Sequence, residues 1–226
     1  MTTPRSEYKF YLHTAHALLL QSRFDALMAK DSHAQPDGSY QIRSLYFDDF
    51  ESTSYYDKIE GLEKRAKYRL RFYNGNKDFV RLEKKEKIGN KNWKETLVIS
   101  PQLAEKLVEG CPVVDQEAPA LVRELSAKFH YRLFRPRFFV DYTRRAFSFP
   151  SGNVRLTLDS RLFVAPFHKA LFETSVMQIP VLSPSQEILE VKFDSFLPTQ
   201  LSALFEDVPL ARCSISKFAQ CFEALL

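Results

Sequence analysis

The stretch RAKYRLRFY, Arg65–Tyr73, decides how the rest of the chain is read. Every second residue is basic (Arg65, Lys67, Arg69, Arg71), and Ala66, Tyr68, Leu70 and Phe72 fall between them. Side chains alternate across a β-strand, so this pattern predicts a strand with one cationic face and one apolar face. A row of like charges repels itself unless bulk water or a polyanion lies opposite. A solvated outer face meets that condition as well as a binding surface does, and this strand alone does not choose between them.

The neighbouring segments shift the balance. In Phe79–Lys87, Arg81, Glu83, Lys85 and Lys87 share a face; in Asn153–Phe163, Arg155, Thr157, Asp159 and Arg161 do. In Glu187–Asp194, Glu190, Lys192 and Asp194 lie opposite Leu189, Val191 and Phe193. Arg5–Leu12 sets Arg5, Glu7 and Lys9 against Tyr8, Phe10 and Leu12, and Arg144 follows Val140 and Tyr142 within Arg137–Phe147. Tyr40–Asp48 and Asn92–Ile99, rich in aromatic and β-branched residues, complete the predicted strands. Helices are expected between them. Thr14–Met28 carries an apolar stripe of Ala17, Leu20, Phe24 and Leu27. A second helix opens at Ser100–Pro101 and stops at Gly110, and others cover Pro119–Tyr131, Pro198–Phe205 and Ser216–Leu225. This order predicts a single α+β domain over residues 1–226, built on an antiparallel sheet or barrel. With helices over the apolar faces, the charged faces line the inside of a closed sheet. A barrel of about eight strands has room there for side chains or one small ligand.

Composition narrows what that ligand is. The 226 residues include 32 Lys+Arg against 28 Asp+Glu, a net charge of +4 that falls short of a nucleic-acid footprint. There are only 6 Gly, with no GxGxxG and no GxxxxGK[ST], so any phosphate is bound by side chains and not by a loop of backbone amides. Arginine suits phosphate through its fixed fork of donors, and lysine supplies point charge. Carboxylates among the bases suit a hard divalent cation that shares its shell with substrate phosphates. The N-terminus has no apolar signal region, and no run approaches the ~20 apolar residues of a membrane span, which gives a cytoplasmic expectation. Cys111, Cys213 and Cys221 lack metal or disulfide spacing and read as reduced thiols. His13, His16, His33, His130 and His168 share no ligand spacing, and Trp93, Lys91 and Lys94 are given no role.

Read in order, the motifs EYKF (Glu7–Phe10), IRSLYFD (Ile42–Asp48), YYDKIEGLEKRAKYRLRFY (Tyr55–Tyr73), RLEKKEK (Arg81–Lys87), DYTRRAF (Asp141–Phe147), VRLTLDSRL (Val154–Leu162), LEVKFDSFLP (Leu189–Pro198) and SISKF (Ser214–Phe218) resemble one family. It is the VTC-domain branch, typified by polyphosphate polymerases, of the CYTH proteins or triphosphate tunnel metalloenzymes. The resemblance runs from Tyr8 to Phe218 and implies a closed antiparallel eight-stranded β-tunnel with helices packed outside. Carried over by position, Arg69 and Arg71 are the RxR pair, Lys85 the lysine of the ExK-type strand, and Arg144 the arginine of the YxR element. Lys84 replaces Lys85 if the repetitive EKKEK register slips by one. Lys9 is the first-strand lysine, and Ser216 with Lys217 binds phosphate near the tunnel end. Arg43, Lys67, Arg155 and Lys192 join the substrate-binding set. Glu190 is the metal ligand, with Glu7 and Asp159 as further candidates.

The resemblance implies a metal-assisted transfer of the ATP γ-phosphate to a polyphosphate chain, with Mg²⁺ or Mn²⁺ as cofactor. ATP, pyrophosphate and polyphosphate are the expected partners; nucleic acid is not, and any membrane partner is a separate polypeptide. Two alternatives stand beside it: a hydrolase of tripolyphosphate or nucleoside triphosphate with the same grip, and a non-catalytic polyphosphate-binding module of a membrane complex.

Overall fold

A computed structural model of the chain describes residues 5–31, 34–89, 91–113, 115–172 and 177–226; His33 lies outside them. The long strands are β1 (Ser6–His13), β3 (Ser39–Asp48), β4 (Lys64–Tyr73), β5 (Val80–Ile88), β6 (Lys91–Ile99), β7 (Arg135–Phe149), β8 (Val154–Pro166) and β10 (Gln186–Phe193). Two short strands, β2 (Ala29–Lys30) and β9 (Ile179–Pro180), pair with β7 and β8. The strands form one antiparallel sheet in the order β1-β10-β8-β7-β3-β4-β5-β6.

The convex face carries the apolar residues, in two patches. Over β3–β6, Leu45, Phe47, Tyr68, Leu70, Phe72 and Leu82 pack against α3 (Pro101–Val108) and α4 (Ala120–Tyr131) through Ala104, Leu107, Leu121, Val122, Leu125 and Phe129. Over β1, β10, β8 and β7, Leu156, Leu158, Leu189, Val191 and Phe147 pack on α1 (Thr14–Leu27) through Ala17, Leu20 and Phe24, and on α5 (Thr199–Ser202) through Leu201. Burying each such side chain stabilises the fold by about 1.5–3 kcal/mol, which fixes which face turns inward. Start and stop signals act as expected at α3: Ser100 Oγ accepts from Leu103 N at 3.2 Å, Pro101 opens the helix, and Gly110 follows it at φ 69°. The helix α2 (Thr53–Ile59) was not foreseen; it is short and starts at Ser52, in a left-handed conformation with no side-chain cap.

The expected closed tunnel is corrected. Among the described residues β1 and β6 do not pair, and the sheet is a curled, open half-barrel. The free edge of β1 is instead taken by the segment before α6 (Lys217–Glu223): Phe10 bridges Arg212, and Cys213 N donates to Lys9 O at 2.9 Å. The helix α6 then lies over one stretch of the concave face. Phe218 sits 5.0 Å from the Tyr46 ring and 5.3 Å from Phe138, among Val140, Leu162, Val164, Ile188 and Ile215. A second correction concerns Arg161. It has φ 54° at a register shift between β7 and β8, so it is turned outward and exposed, and the inward parity passes from Arg155, Thr157 and Asp159 to Leu162 and Val164. No helix among the described residues is long and apolar enough to cross a membrane.

Candidate active site

Beyond the part covered by α6, the concave face is lined by charge. The strand alternation that buries Tyr68, Leu70 and Phe72 outside turns Lys67, Arg69 and Arg71 inside. Arg69 and Arg71 meet Glu83 of β5, which is 0% exposed. Arg69 places Nε at 2.7 Å and Nη2 at 2.6 Å from Glu83 Oε2; Lys94 Nζ is 2.5 Å from Oε1, and Arg71 Nε is 3.9 Å away. Burial pushes the Glu83 carboxyl up, but Arg69, Arg71 and Lys94 together hold it far below the usual carboxylate range. The remaining guanidinium donors are also fixed: Arg69 Nη1 donates to Tyr46 Oη at 2.7 Å, Arg71 Nε to Ser44 Oγ at 3.2 Å, and Arg71 Nη2 to Tyr142 Oη at 3.1 Å.

A second acid holds the other arginine. Asp159, 1% exposed, accepts both Nε and Nη2 of Arg144 at 2.6 and 2.7 Å, and Lys217 Nζ stands 2.7 Å from its Oδ2. Against the upward push of burial, Arg144 and Lys217 bring Asp159 down to about 2. Lys217 reaches this point because Ser216 caps α6, its Oγ accepting from Ala219 N at 3.3 Å.

The third centre is different in kind. Glu190 on β10 and Glu7 on β1 sit at diagonal positions, since Lys9 is paired with Glu190 and Glu7 with Lys192. Lys9 Nζ lies 2.8 Å from Glu7 and 3.8 Å from Glu190; Lys192 Nζ contacts Glu190 and lies 3.9 Å from Glu7. Burial and the neighbouring Glu190 push Glu7 up, and Lys192, Lys9 and Lys85 bring it below its ordinary value. Lys85 faces this pair from β5. Its side chain is open to water inside the trough, yet protein surrounds it; burial first, then Arg69 and Lys192, lower its pKa well below that of a free lysine. Lys67, with Lys58, Arg65 and Lys9 nearby, is brought down to about 7, mainly by burial. It donates to Ser216 Oγ at 3.3 Å and lies 4.2 Å over the Phe218 ring.

This is a trough of Arg and Lys from six strands and one helix start, far apart in sequence, in which Arg69, Arg71, Arg144, Lys9, Lys94, Lys192 and Lys217 are held by acids or phenols. Residues 4–226 match the family model of the VTC domain. The chain belongs to the VTC-domain family. No curated protein matches it in sequence. Its fold is similar to that of HpAC1 from Hippeastrum, a candidate adenylyl cyclase that reveals a dominant triphosphatase activity (TM-score 0.58, 15% identity, 96% of each chain covered). It is also similar to a candidate adenylate cyclase from Bacillus halodurans (TM-score 0.52, 12% identity, 91% of this chain and 87% of that one). The PH1819 protein of Pyrococcus horikoshii gives a TM-score of 0.50 at 12% identity, over 96% of each chain. At these identities the likeness is one of fold.

In this VTC domain, Lys9, Lys67, Arg69, Arg71, Lys85, Arg144, Lys192 and Lys217 converge on the concave face with Glu7, Asp159 and Glu190. The Lys84–Lys85 ambiguity resolves by parity, because Lys84 points outward to Glu124 on α4 at 2.7 Å. Arg155 shares the inward parity but sits toward one end, tied to Asp31 at 2.5 Å and Tyr40 Oη at 3.2 Å. Arg43 is not brought into the site. It shares its face with Leu45 and Phe47, lies 4.4 Å over the Phe139 ring, and is 3.4 Å from Asp141 on the convex side. Glu83, Lys94, Tyr46 and Tyr142 were not singled out from sequence. Glu83 was visible as the acid on the charged face of β5; Lys94 lies on a strand where Glu95 and Val98 blur the alternation.

Proposed function

We propose that this VTC domain transfers the γ-phosphoryl group of ATP to a polyphosphate chain. The observation that carries the reading is the set of arginines Arg69, Arg71 and Arg144, immobilised on buried Glu83 and Asp159 and turned toward one trough. Phosphoryl transfer asks little covalent chemistry of a protein; it needs positioning and charge stabilisation. Donors fixed beforehand cost no reorganisation as charge develops on the transferring group. Arg69, Arg71, Arg144 and Lys217 bind the donor phosphates. Lys9, Lys67 and Ser216 hold the acceptor chain toward α6, with Lys85 and Lys192 between the two.

A divalent cation fits the Glu190–Glu7 pair and not Asp159. Both oxygens of Asp159 are taken by Arg144, and one by Lys217 as well, so Asp159 positions those bases. Glu190 and Glu7 are two hard oxygen donors, Glu190 close enough to push the Glu7 carboxyl up, and their ion-pair contacts are with lysines that phosphate can draw away. Among the described residues no cluster of three or more His, Cys, Asp or Glu is built to hold a metal. Phosphate oxygens and water would complete the shell, as is usual for Mg²⁺ and equally open to Mn²⁺. When bound, a divalent cation would neutralise charge on the phosphates.

The second reading is hydrolysis with the same grip. Among the described residues β1 and β6 do not pair, and an incompletely closed sheet that admits water favours it. Incubation of the protein with ATP and Mn²⁺, with products resolved on a gel stained for polyphosphate, separates the readings. Chains longer than the donor triphosphate are expected; orthophosphate alone supports the hydrolase, and neither product rules out both.

A further inference from the structure

At one end the lining of the trough changes character. Arg81 on β5 pairs in register with Arg71 and so continues its row, and from there outward the lining is aromatic. The Arg81 guanidinium lies 4.7 Å over the Phe79 ring and 5.1 Å over the Tyr73 ring, and its Nη1 donates to Tyr73 Oη at 3.3 Å. Tyr73 stands 6.4 Å from Phe79 and 6.1 Å from Tyr40, and Tyr40 is the register partner of Arg144. Tyr73 and Phe79 are only half-buried. At the end near α6 the rings of Phe218, Tyr46 and Phe138 are buried against one another, and what that end offers is Lys58, Lys67 and Lys9 beside Ser214, Ser216 and the Ile215 carbonyl.

We propose that the Tyr73–Phe79–Arg81 mouth recognises the base of the nucleoside triphosphate donor, which gives the trough a direction: nucleoside at the aromatic mouth, bare phosphate chain at the α6 end. The inference rests on the phosphate-binding reading of the trough and adds a specificity site to it. Tyr73 follows Arg71 by two residues, roughly 6.6 Å along the strand, about the span of a ribose between a held phosphate and its base. Aromatic faces and guanidinium planes stack on any base without reading its edge, so the site distinguishes nucleotides from inorganic triphosphate but discriminates weakly between purines.

The test compares ATP with tripolyphosphate by isothermal titration of the full chain, as the parent and as Tyr73→Leu and Phe79→Leu, which keep apolar bulk and remove the π face. Each variant is expected to bind ATP about 10-fold more weakly and tripolyphosphate as the parent does, and that unchanged binding also reports an intact trough. Equal weakening of both ligands would make the rings merely structural supports, and unchanged binding of both would make them bystanders; either overturns the proposal. A parent chain that binds neither ligand sinks the phosphate site itself, a failure separate from that of the base site.

Discussion

Glu83 and Glu190 are both buried carboxylates on the concave face of one sheet, and they are held in opposite ways. Glu83 receives two nitrogens of Arg69 at 2.7 and 2.6 Å and an ammonium at 2.5 Å, with no second acid among these contacts. Glu190 has a second acid, Glu7, beside it; its ion-pair contacts are with the lysines Lys192 and Lys9, and Arg144 acts on it only without contact. A planar guanidinium that fits a carboxylate makes a fixed scaffold, whereas ammonium groups on flexible stems can leave for a phosphate. The comparison assigns Glu83 to building the arginine grip and Glu190 to exchanging partners in use.

The largest effect separates the two acids by stability. Glu83→Ala leaves two buried guanidinium groups without their counter-charge and is expected to cost about 3–5 kcal/mol in chemical denaturation. Glu190→Gln removes one of two neighbouring acids and leaves Glu7 to pair with Lys9 and Lys192; it is expected to cost much less, while weakening Mn²⁺ binding in the presence of tripolyphosphate by roughly 10- to 100-fold. Equal destabilisation by both substitutions would erase the distinction. Next in size, Asp159→Asn removes the bidentate partner of Arg144 and is expected to lower turnover about 10²-fold with little change in tripolyphosphate affinity; a loss confined to affinity would argue against a positioning role.

The lysines sharpen the comparison through pH. Lys67 is brought down to about 7 and Lys94 to about 8 by burial and neighbouring charges. A polyanion binds their protonated forms, so above those values binding takes up protons. Affinity for tripolyphosphate should then fall with rising pH, by up to about tenfold per unit for each lysine. Titrations in buffers of different ionisation enthalpy should show this uptake, reduced in Lys67→Arg. The stability sign is opposite: an unfolded lysine keeps its proton to about 10.4, so from pH 7 to that value the unfolded chain holds more protons, and the Lys67 contribution to stability rises with pH. The smallest effect is Arg43→Gln, on the convex side, which should leave phosphate binding unchanged.

The alternation in Arg65–Tyr73 was enough to read the polarity of β4, and the same rule placed Lys85, Glu190 and Lys192 inward. It failed where local geometry breaks the period of two. The left-handed Arg161 resets the parity of β8, and no residue type in that segment announces it. Arg43 misled for a different reason: the inward residues of β3 are Ile42, Ser44 and Tyr46, so an arginine among apolar neighbours carried no parity signal. Closure of the sheet was not legible either, because the edge of β1 is taken by Arg212 and Cys213, some two hundred residues away in sequence. A glycine marks another such contact. Gly152 has φ 72°, and a Cβ there would lie 2.6 Å from the Phe196 carbonyl oxygen, so Gly152→Ala should destabilise the chain by at least about 1 kcal/mol.

The central claim is that the concave face, and not the convex one, takes up phosphate chains. Lysine acetylation read by mass spectrometry, with and without tripolyphosphate, tests it without substituting any residue. The account predicts several-fold protection of Lys9, Lys67, Lys85, Lys94 and Lys192, with Lys106 and Lys128 on the outer helices unchanged; protection that is uniform, or that falls on the outer lysines, would contradict it.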